Sequence, residues 1–100
     1  MNTDQFNEII EDRLASIKHV LGSKAREYAI GDRLYNFKRA GKILRTTPQK
    51  ALAGMFVKHL VSVLDLVEGS LEPTEYMIEE KIGDAINYLI LLEAVLKEKE

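Results

Sequence analysis

The stretch from Pro48 to Val67 most constrains the fold, because its apolar residues would surround most of the helix that it predicts. At ~100° per residue, these side chains do not keep to one stripe. They are Leu52, Phe56, Val57, Leu60, Val61, Val63, Leu64, Leu66 and Val67. A helix that is apolar nearly all round is buried on more than one side. In a chain of 100 residues we expect the second side to contact another subunit; the alternative is a central helix in a compact monomer.

Capping residues and breakers predict four helices joined by short connections. We expect the first to begin at a Thr3 or Asp4 cap and to end at Gly22-Ser23, with a short helical turn over 23–28. Asp32 would cap the second, and Thr47 would cap the third, with Pro48 in its first turn. The third helix then spans about Pro48 to Val67 and the fourth about Pro73 to Lys97, with Gly69-Ser70 between them.

Such short connections favour antiparallel neighbours, so the predicted fold is all-α and resembles a four-helix bundle. No convincing two-residue alternation indicates a strand. We expect one domain over residues 1–100, with a core from about 4 to 97 and a charged tail after it. The last two helices are the most apolar, and we expect the chain to form a homo-oligomer through them.

Composition excludes several classes of protein. A net charge of −2 argues against a general nucleic-acid binder or an anionic-membrane binder. The chain has no cysteine, which excludes disulfides and cysteine-bound zinc. Its apolar runs are too short to span a bilayer, and because Met1 to Gln5 lacks the charged and apolar regions of a signal peptide, we expect none there. The expected location is the cytoplasm.

The fourth predicted helix carries a polar patch opposite an apolar stripe. The stripe consists of Ile78, Ile82, Ala85, Leu89, Leu92 and Leu96. Glu80, Asp84 and Asn87 point roughly the other way, but apolar Leu91 and Val95 share that side. We therefore expect the patch to be partly buried. Because an unpaired buried charge is costly, it requires a cation, a ligand or a neighbouring subunit.

The third helix has a narrower polar stripe of its own. Lys58, Ser62 and Asp65 lie within ~60° of each other around its axis. If the third and fourth helices are antiparallel neighbours, the two stripes can face one small pocket. The alternative is that Lys58 and Asp65 form a solvent face. His59 lies on an apolar arc, where we expect a packed or interface residue more than a ligand.

A second polar constellation surrounds the start of the second helix. Its aromatic faces could stack on a base, its amide could contact a base edge, and its cations could contact phosphate. The candidate ligand-binding residues here are Lys24, Glu27, Tyr28, Tyr35, Asn36 and Phe37. From the other helices we add Lys58, Asp65, Glu80, Asp84, Asn87 and Tyr88.

These residues together resemble a family of small, mostly phage-borne helical proteins described as nucleotide-modification-associated or MazG-like. The resemblance covers roughly Lys24 to Val95. It is carried by Lys24-x-x-Glu27-Tyr28, Tyr35-Asn36-Phe37-Lys38, Thr47-Pro48, Lys58-His59, Asp65 and the run from Glu80 to Tyr88. Glu80 followed by Asp84 and then Asn87-Tyr88 within an apolar helix is its most specific part.

More distantly, the chain is similar to all-helical nucleotide pyrophosphohydrolases, which hold Mg²⁺ between Glu-x-x-Glu and Glu-x-x-Asp pairs. This chain departs from that pattern, since Lys81 lies three residues before Asp84 and Lys24 lies three before Glu27. A lysine adds positive charge where Mg²⁺ would require negative charge. The metal-binding set that the resemblance implies is reduced to Glu27, Glu80 and Asp84.

The expected function is binding of a nucleotide or cyclic nucleotide-like small molecule. If the chain is phage-encoded, the resemblance implies a protein of the host cytoplasm that sequesters a signalling nucleotide against host defence. One alternative is a divergent Mg²⁺-dependent nucleoside triphosphate pyrophosphohydrolase. Another is an inhibitor or assembly module that binds protein through its apolar helices.

Overall fold

A computed structural model describes residues 1–23 and 31–98 of the chain. Over these residues the protein is all-α, as predicted, with no strand. The helices are α1 (Thr3–Ile17), α2 (Tyr35–Leu44), α3 (Pro48–Glu68) and α4 (Glu75–Lys97), and a π-helical segment, Lys18–Ser23, follows α1. The chain divides into two compact units, Met1–Gly31 and Asp32–Glu100. The predicted turn over 23–28 lies, beyond Ser23, outside the described residues.

The first unit begins with a reciprocal cap. The Asn2 side chain accepts the Gln5 N–H at 2.8 Å, and the Gln5 side chain accepts the Asn2 N–H at 2.9 Å. Predicting Thr3 or Asp4 as the cap was therefore wrong, because Gln5 completes a capping box with Asn2 alone. Within this chain the apolar face of α1 is exposed, including Phe6 at 55% and Ile9 at 52%.

In the second unit, local chemistry sets the ends of α3. The Thr47 hydroxyl accepts the Lys50 N–H, and Pro48 occupies the first turn, as predicted. Gly69 ends the helix with a φ of 84°, a left-handed conformation that glycine adopts without a Cβ clash. This end falls one residue after the predicted Val67.

Two other predicted helix starts need correction. The Thr74 hydroxyl accepts the Met77 N–H at 3.1 Å, so α4 begins at Glu75 and not at Pro73. Asp32 does not cap α2 directly, since the residue preceding the helix is Leu34. The Asp32 carboxylate instead accepts the Leu34 N–H at 2.9 Å and orders the turn before the helix.

The core of the second unit lies where α2, α3 and α4 meet. Leu34, Phe37 and Leu52 are buried there, and Leu52 is fully inaccessible. Tyr88, Leu91, Leu92 and Val95 of α4 pack against this cluster together with Met55 of α3. These contacts make α3 and α4 antiparallel neighbours, as the short connection predicted.

The face of α4 that contacts the core is the one bearing the polar patch. Leu91 and Val95 pack there, while Ile78, Leu89 and Leu96 of the apolar stripe are 44%, 52% and 63% exposed. The positions of Asp84 and Asn87 are therefore partly buried, as predicted, whereas Glu80 of the same patch is exposed. Leu92 of the stripe also packs against the core. Among the described helices, none combines the length and the hydropathy required to cross a membrane.

Candidate functional site

The polar patch of α4 meets α3 through a histidine. The Asp84 carboxylate lies 3.7 Å from His59 Nδ1, with the imidazole side chain only 17% exposed and the carboxylate side chain 37% exposed. Protonation of the imidazole would make this contact an ion pair. The partner that the patch required is thus supplied, at least in part, by the same chain.

The Tyr88 ring packs beside the same contact. The Tyr88 ring lies one helical turn beyond Asp84, and its centroid is 4.5 Å from that of His59. Phe56 and Phe37 also contact Tyr88, each at 6.4 Å between centroids. Tyr88 is therefore held by packing on several sides, which fixes the position of the imidazole beside it.

Asn87 supplies the one polar side-chain atom that is buried without a hydrogen-bond partner in the described part of the chain. This atom is Oδ1, the carbonyl oxygen of the side-chain amide. Asn87 lies three residues after Asp84 and so shares its side of α4. A buried acceptor without a donor is destabilising, and most native structures avoid it. We call His59, Asp84, Asn87 and Tyr88 the α3–α4 polar cluster.

The other predicted residues of α3 and α4 lie outside this cluster. Glu80 and Lys58 are exposed, and Lys81 is half-buried one turn before Asp84. Asp65 accepts a hydrogen bond from the Ser70 hydroxyl at 3.4 Å, near the end of α3. The α3 residue that faces the α4 patch through Asp84 is therefore His59, which the sequence interpretation had placed on an apolar arc.

The predicted residues around α2 have different environments. Tyr35, 58% exposed, and Asn36 present their side chains to solvent. Phe37 is buried in the core. Lys24, Glu27 and Tyr28 lie outside the described residues. The structure thus leaves Tyr35 and Asn36 accessible to a ligand and assigns Phe37 a packing contact.

A second polar group joins the start of α2 to the end of α4. The Lys38 ammonium donates to the carboxylates of Asp32 and Glu98. The hydrogen bond from Lys38 lowers the pKa of Asp32. The hydrogen bonds to Asp32 and then to Glu98 raise the pKa of Lys38. A cleft of about 230 Å³ adjoins this group and has Lys38, Gln49 and Glu98 as its polar lining.

Metal ligation remains a prediction for this chain. Across residues 1–23 and 31–98, no three histidine or carboxylate side chains are grouped closely enough to hold a metal ion. The predicted set of Glu27, Glu80 and Asp84 includes one residue outside those ranges, so its geometry is not tested. Within them, Asp84 faces an imidazole and Glu80 faces solvent.

His59 is the residue that sequence reasoning missed. Its spacing from Leu52 and Leu66 placed it on the packed side of α3, and that placement was right. A histidine on a packed face needs a polar partner, and Asp84 and Glu80 were the carboxylates predicted to lie on the side of α4 opposite its apolar stripe. Considering the two helices together would have identified Asp84 as one of two candidate partners.

Comparison of the chain with protein families, with curated proteins and with solved structures finds no match. The resemblance to MazG-like proteins therefore stays a hypothesis, and function must be inferred from the geometry.

Proposed function

We propose that this protein binds a nucleotide or nucleotide-derived small molecule at the α3–α4 polar cluster. The observation that carries the proposal is the buried Oδ1 of Asn87, which accepts no hydrogen bond from the described residues. Because this oxygen is inaccessible to solvent, a ligand with an N–H donor would have to displace the side chains that cover it; it would then satisfy the oxygen and remove the cost of leaving it unpaired. Nucleobases carry such donors on their ring nitrogens and exocyclic amines.

The surroundings of Asn87 fit the same class of ligand. Asp84 provides a carboxylate one helical turn before Asn87, and this carboxylate contacts the His59 imidazole; both side chains are partly accessible. Lys58 precedes His59 along the chain, and half-buried Lys81 lies three residues before Asp84. Ammonium groups at these positions suit a phosphate, either directly or through water.

The charges favour binding over hydrolysis. A phosphoryl-transfer site commonly holds Mg²⁺ with carboxylates, but here Asp84 is next to His59, and Lys81 occupies the position of an expected acid. A ligand bound in this way is released intact. Sequestration of a signalling nucleotide, the role implied by the resemblance, requires only such binding.

The direct test is a thermal-shift screen against linear and cyclic nucleotides, with and without Mg²⁺, followed by calorimetry on each hit. Binding at a concentration of 100 times Kd should stabilise the protein by about 2.7 kcal/mol. If no nucleotide raises the melting temperature, the proposal fails.

A pair of matched variants locates the site. Asn87→Leu removes the buried amide and should weaken binding at least about tenfold, equivalent to about 1.4 kcal/mol. Gln49→Leu removes a half-buried amide from the separate cleft and should leave the affinity unchanged. The reverse result would place the ligand in the cleft and contradict the assignment to the polar cluster.

Recovery of the ligand separates binding from catalysis. After incubation with Mg²⁺ and a nucleoside triphosphate, we expect the nucleotide to be recovered unchanged. Pyrophosphate release that is abolished by Asp84→Asn would establish the pyrophosphohydrolase alternative in its place.

A further inference from the structure

The side of α3 that faces away from α2 and α4 carries an exposed apolar seam. The seam consists of Ala53, Val57, Leu60, Leu64 and Val67. Val57 is 55% exposed, Leu64 is 46% exposed and Val67 is 76% exposed. Successive seam residues are separated by four, three, four and three positions, which is the heptad spacing of a helix that packs along a second helix.

The contacts of the other side of α3 show that this seam is additional to the core. Leu52 and Met55 pack with α2 and α4, and His59 contacts α4. The seam lies roughly opposite these residues at ~100° per residue. A continuous exposed apolar surface of this kind marks a protein interaction site more often than an ordinary solvent face.

Two charged residues at the ends of the seam indicate what covers it. Lys50 and Glu68 are both exposed, and both project within ~20° of Val57 around the helix axis. They are separated by 18 residues, which is about 27 Å along the helix. The seam thus has a positive end, an apolar middle and a negative end.

We propose that two copies of this chain pair through the α3 seams in antiparallel orientation. Each Lys50 then meets Glu68 of the partner subunit, at both ends of the contact, and Leu60 of each copy lies near the centre of the contact. A parallel pair would instead place lysine against lysine and glutamate against glutamate, which is destabilising. Antiparallel helix dipoles add to the same preference. This interface is independent of ligand binding at the polar cluster.

Analytical ultracentrifugation of two matched variants tests the surface. Leu64→Lys places a charge in the middle of the seam and should raise the dissociation constant by about 100-fold or more. Leu89→Lys makes the same change at a comparably exposed position on α4, 52% against 46%, and should leave the assembly unchanged. A monomeric wild-type chain, or an assembly disrupted by Leu89→Lys and not by Leu64→Lys, overturns the proposal.

Disulfide cross-linking tests the orientation, and the absence of cysteine from the sequence makes it simple to interpret. A chain with Lys50→Cys and a chain with Glu68→Cys are refolded separately and together, then oxidised. The antiparallel pair predicts a covalent dimer only in the mixture, because identical positions lie about 27 Å apart across the pair. A disulfide requires Cα atoms within about 7 Å.

Each alternative arrangement of the two chains predicts a different pattern of covalent dimers on a gel. Cross-linking of the Lys50→Cys chain with itself would show a parallel pair, and cross-linking in none of the three samples would show that the seam does not pair. Both outcomes contradict the proposed interface.

Discussion

The inner and outer sides of α3 use their residues in opposite ways. The inner side contacts the rest of its unit and includes His59, which is 17% exposed and faces Asp84. The outer side carries Val57, Leu64 and Val67, which remain about half exposed or more. The packed side of α3 thus contains the polar side chain of His59, whereas apolar side chains lie on its exposed side.

The two sides of α3 support different proposals. His59 has a partner in Asp84, but the buried Oδ1 of nearby Asn87 on α4 has none within the described residues, and an unpaired buried acceptor is destabilising, which favours a binding role for this contact. Exposed apolar side chains are tolerated singly, but a seam at heptad spacing favours a helical partner. The inner side therefore suits a small ligand, and the outer side suits another copy of the chain.

The largest expected effect separates folding from assembly. Leu52→Ala removes a fully buried side chain and should lower the free energy of unfolding by about 2–5 kcal/mol at any protein concentration. Leu60→Ala, at 44% exposure on the seam, should lower stability mainly at concentrations where the chain is paired. Denaturant unfolding at several protein concentrations measures both. Equal, concentration-independent losses would show that the two sides of α3 do not differ.

Substitutions of two glycines compare a closely packed position, Gly41, with an open one, Gly54. A Cβ at Gly41 would lie 3.0 Å from the Thr46 carbonyl oxygen and 3.1 Å from the Pro48 nitrogen, whereas a Cβ at Gly54 would meet no atom within 4 Å. We expect Gly41→Ala to destabilise the fold by about 1–2 kcal/mol and Gly54→Ala to stabilise it by about 0.5–1 kcal/mol.

Both glycine variants are compared by chemical unfolding in a Leu64→Lys background, so that pairing of the seam does not contribute. Stabilisation by Gly41→Ala would show that the turn between α2 and α3 is not closely packed.

Variants of Asn87 on α4 test whether the α3–α4 polar cluster lowers the stability of the protein without ligand. Asn87→Leu should raise the free energy of unfolding by about 1 kcal/mol, because it removes an unpaired buried acceptor and retains the side-chain volume. Asn87→Asp should lower it, since a second carboxylate would then lie one turn from Asp84. Thermal unfolding without ligand is the measurement. A loss of stability in Asn87→Leu would mean that the amide has a structural role.

The smallest expected effect concerns the Lys38 group. The pKa of Asp32 is lowered by its hydrogen bond to Lys38, so this contribution to stability is lost as pH falls through the lowered pKa. The pKa of Lys38 is raised by Asp32 and then Glu98, so its contribution is lost as pH rises through the raised pKa. Lys38→Met should therefore cause a small loss of stability between about pH 5 and pH 9, and less outside that range.

Melting temperatures across this pH series, at low and high salt, give the check. The loss should decrease at high salt, because the side chains involved are more than one-third exposed. A loss independent of both pH and salt would indicate that the aliphatic stem of Lys38 matters and its charge does not.

The sequence by itself determined where the helices begin and end to within a few residues. Thr47-Pro48 and Gly69, for example, set the two ends of α3 through backbone hydrogen bonding and allowed φ angles, which depend on a few adjacent residues. It also predicted that the side of α4 bearing Asp84 and Asn87 would be partly buried. Errors of one or two residues arose where capping groups compete, as between Asn2 and Thr3.

Only the tertiary structure decided which faces meet. An α4 with apolar residues on several sides can pack against α3 in more than one rotation, and the sequence pattern does not rank them. Packing selected the rotation that brings Tyr88, Leu91 and Val95 to the core. This rotation placed Asp84 beside His59 and left the α3 seam exposed. Both results depend on contacts between residues that are distant in the sequence, so local sequence patterns did not reveal them.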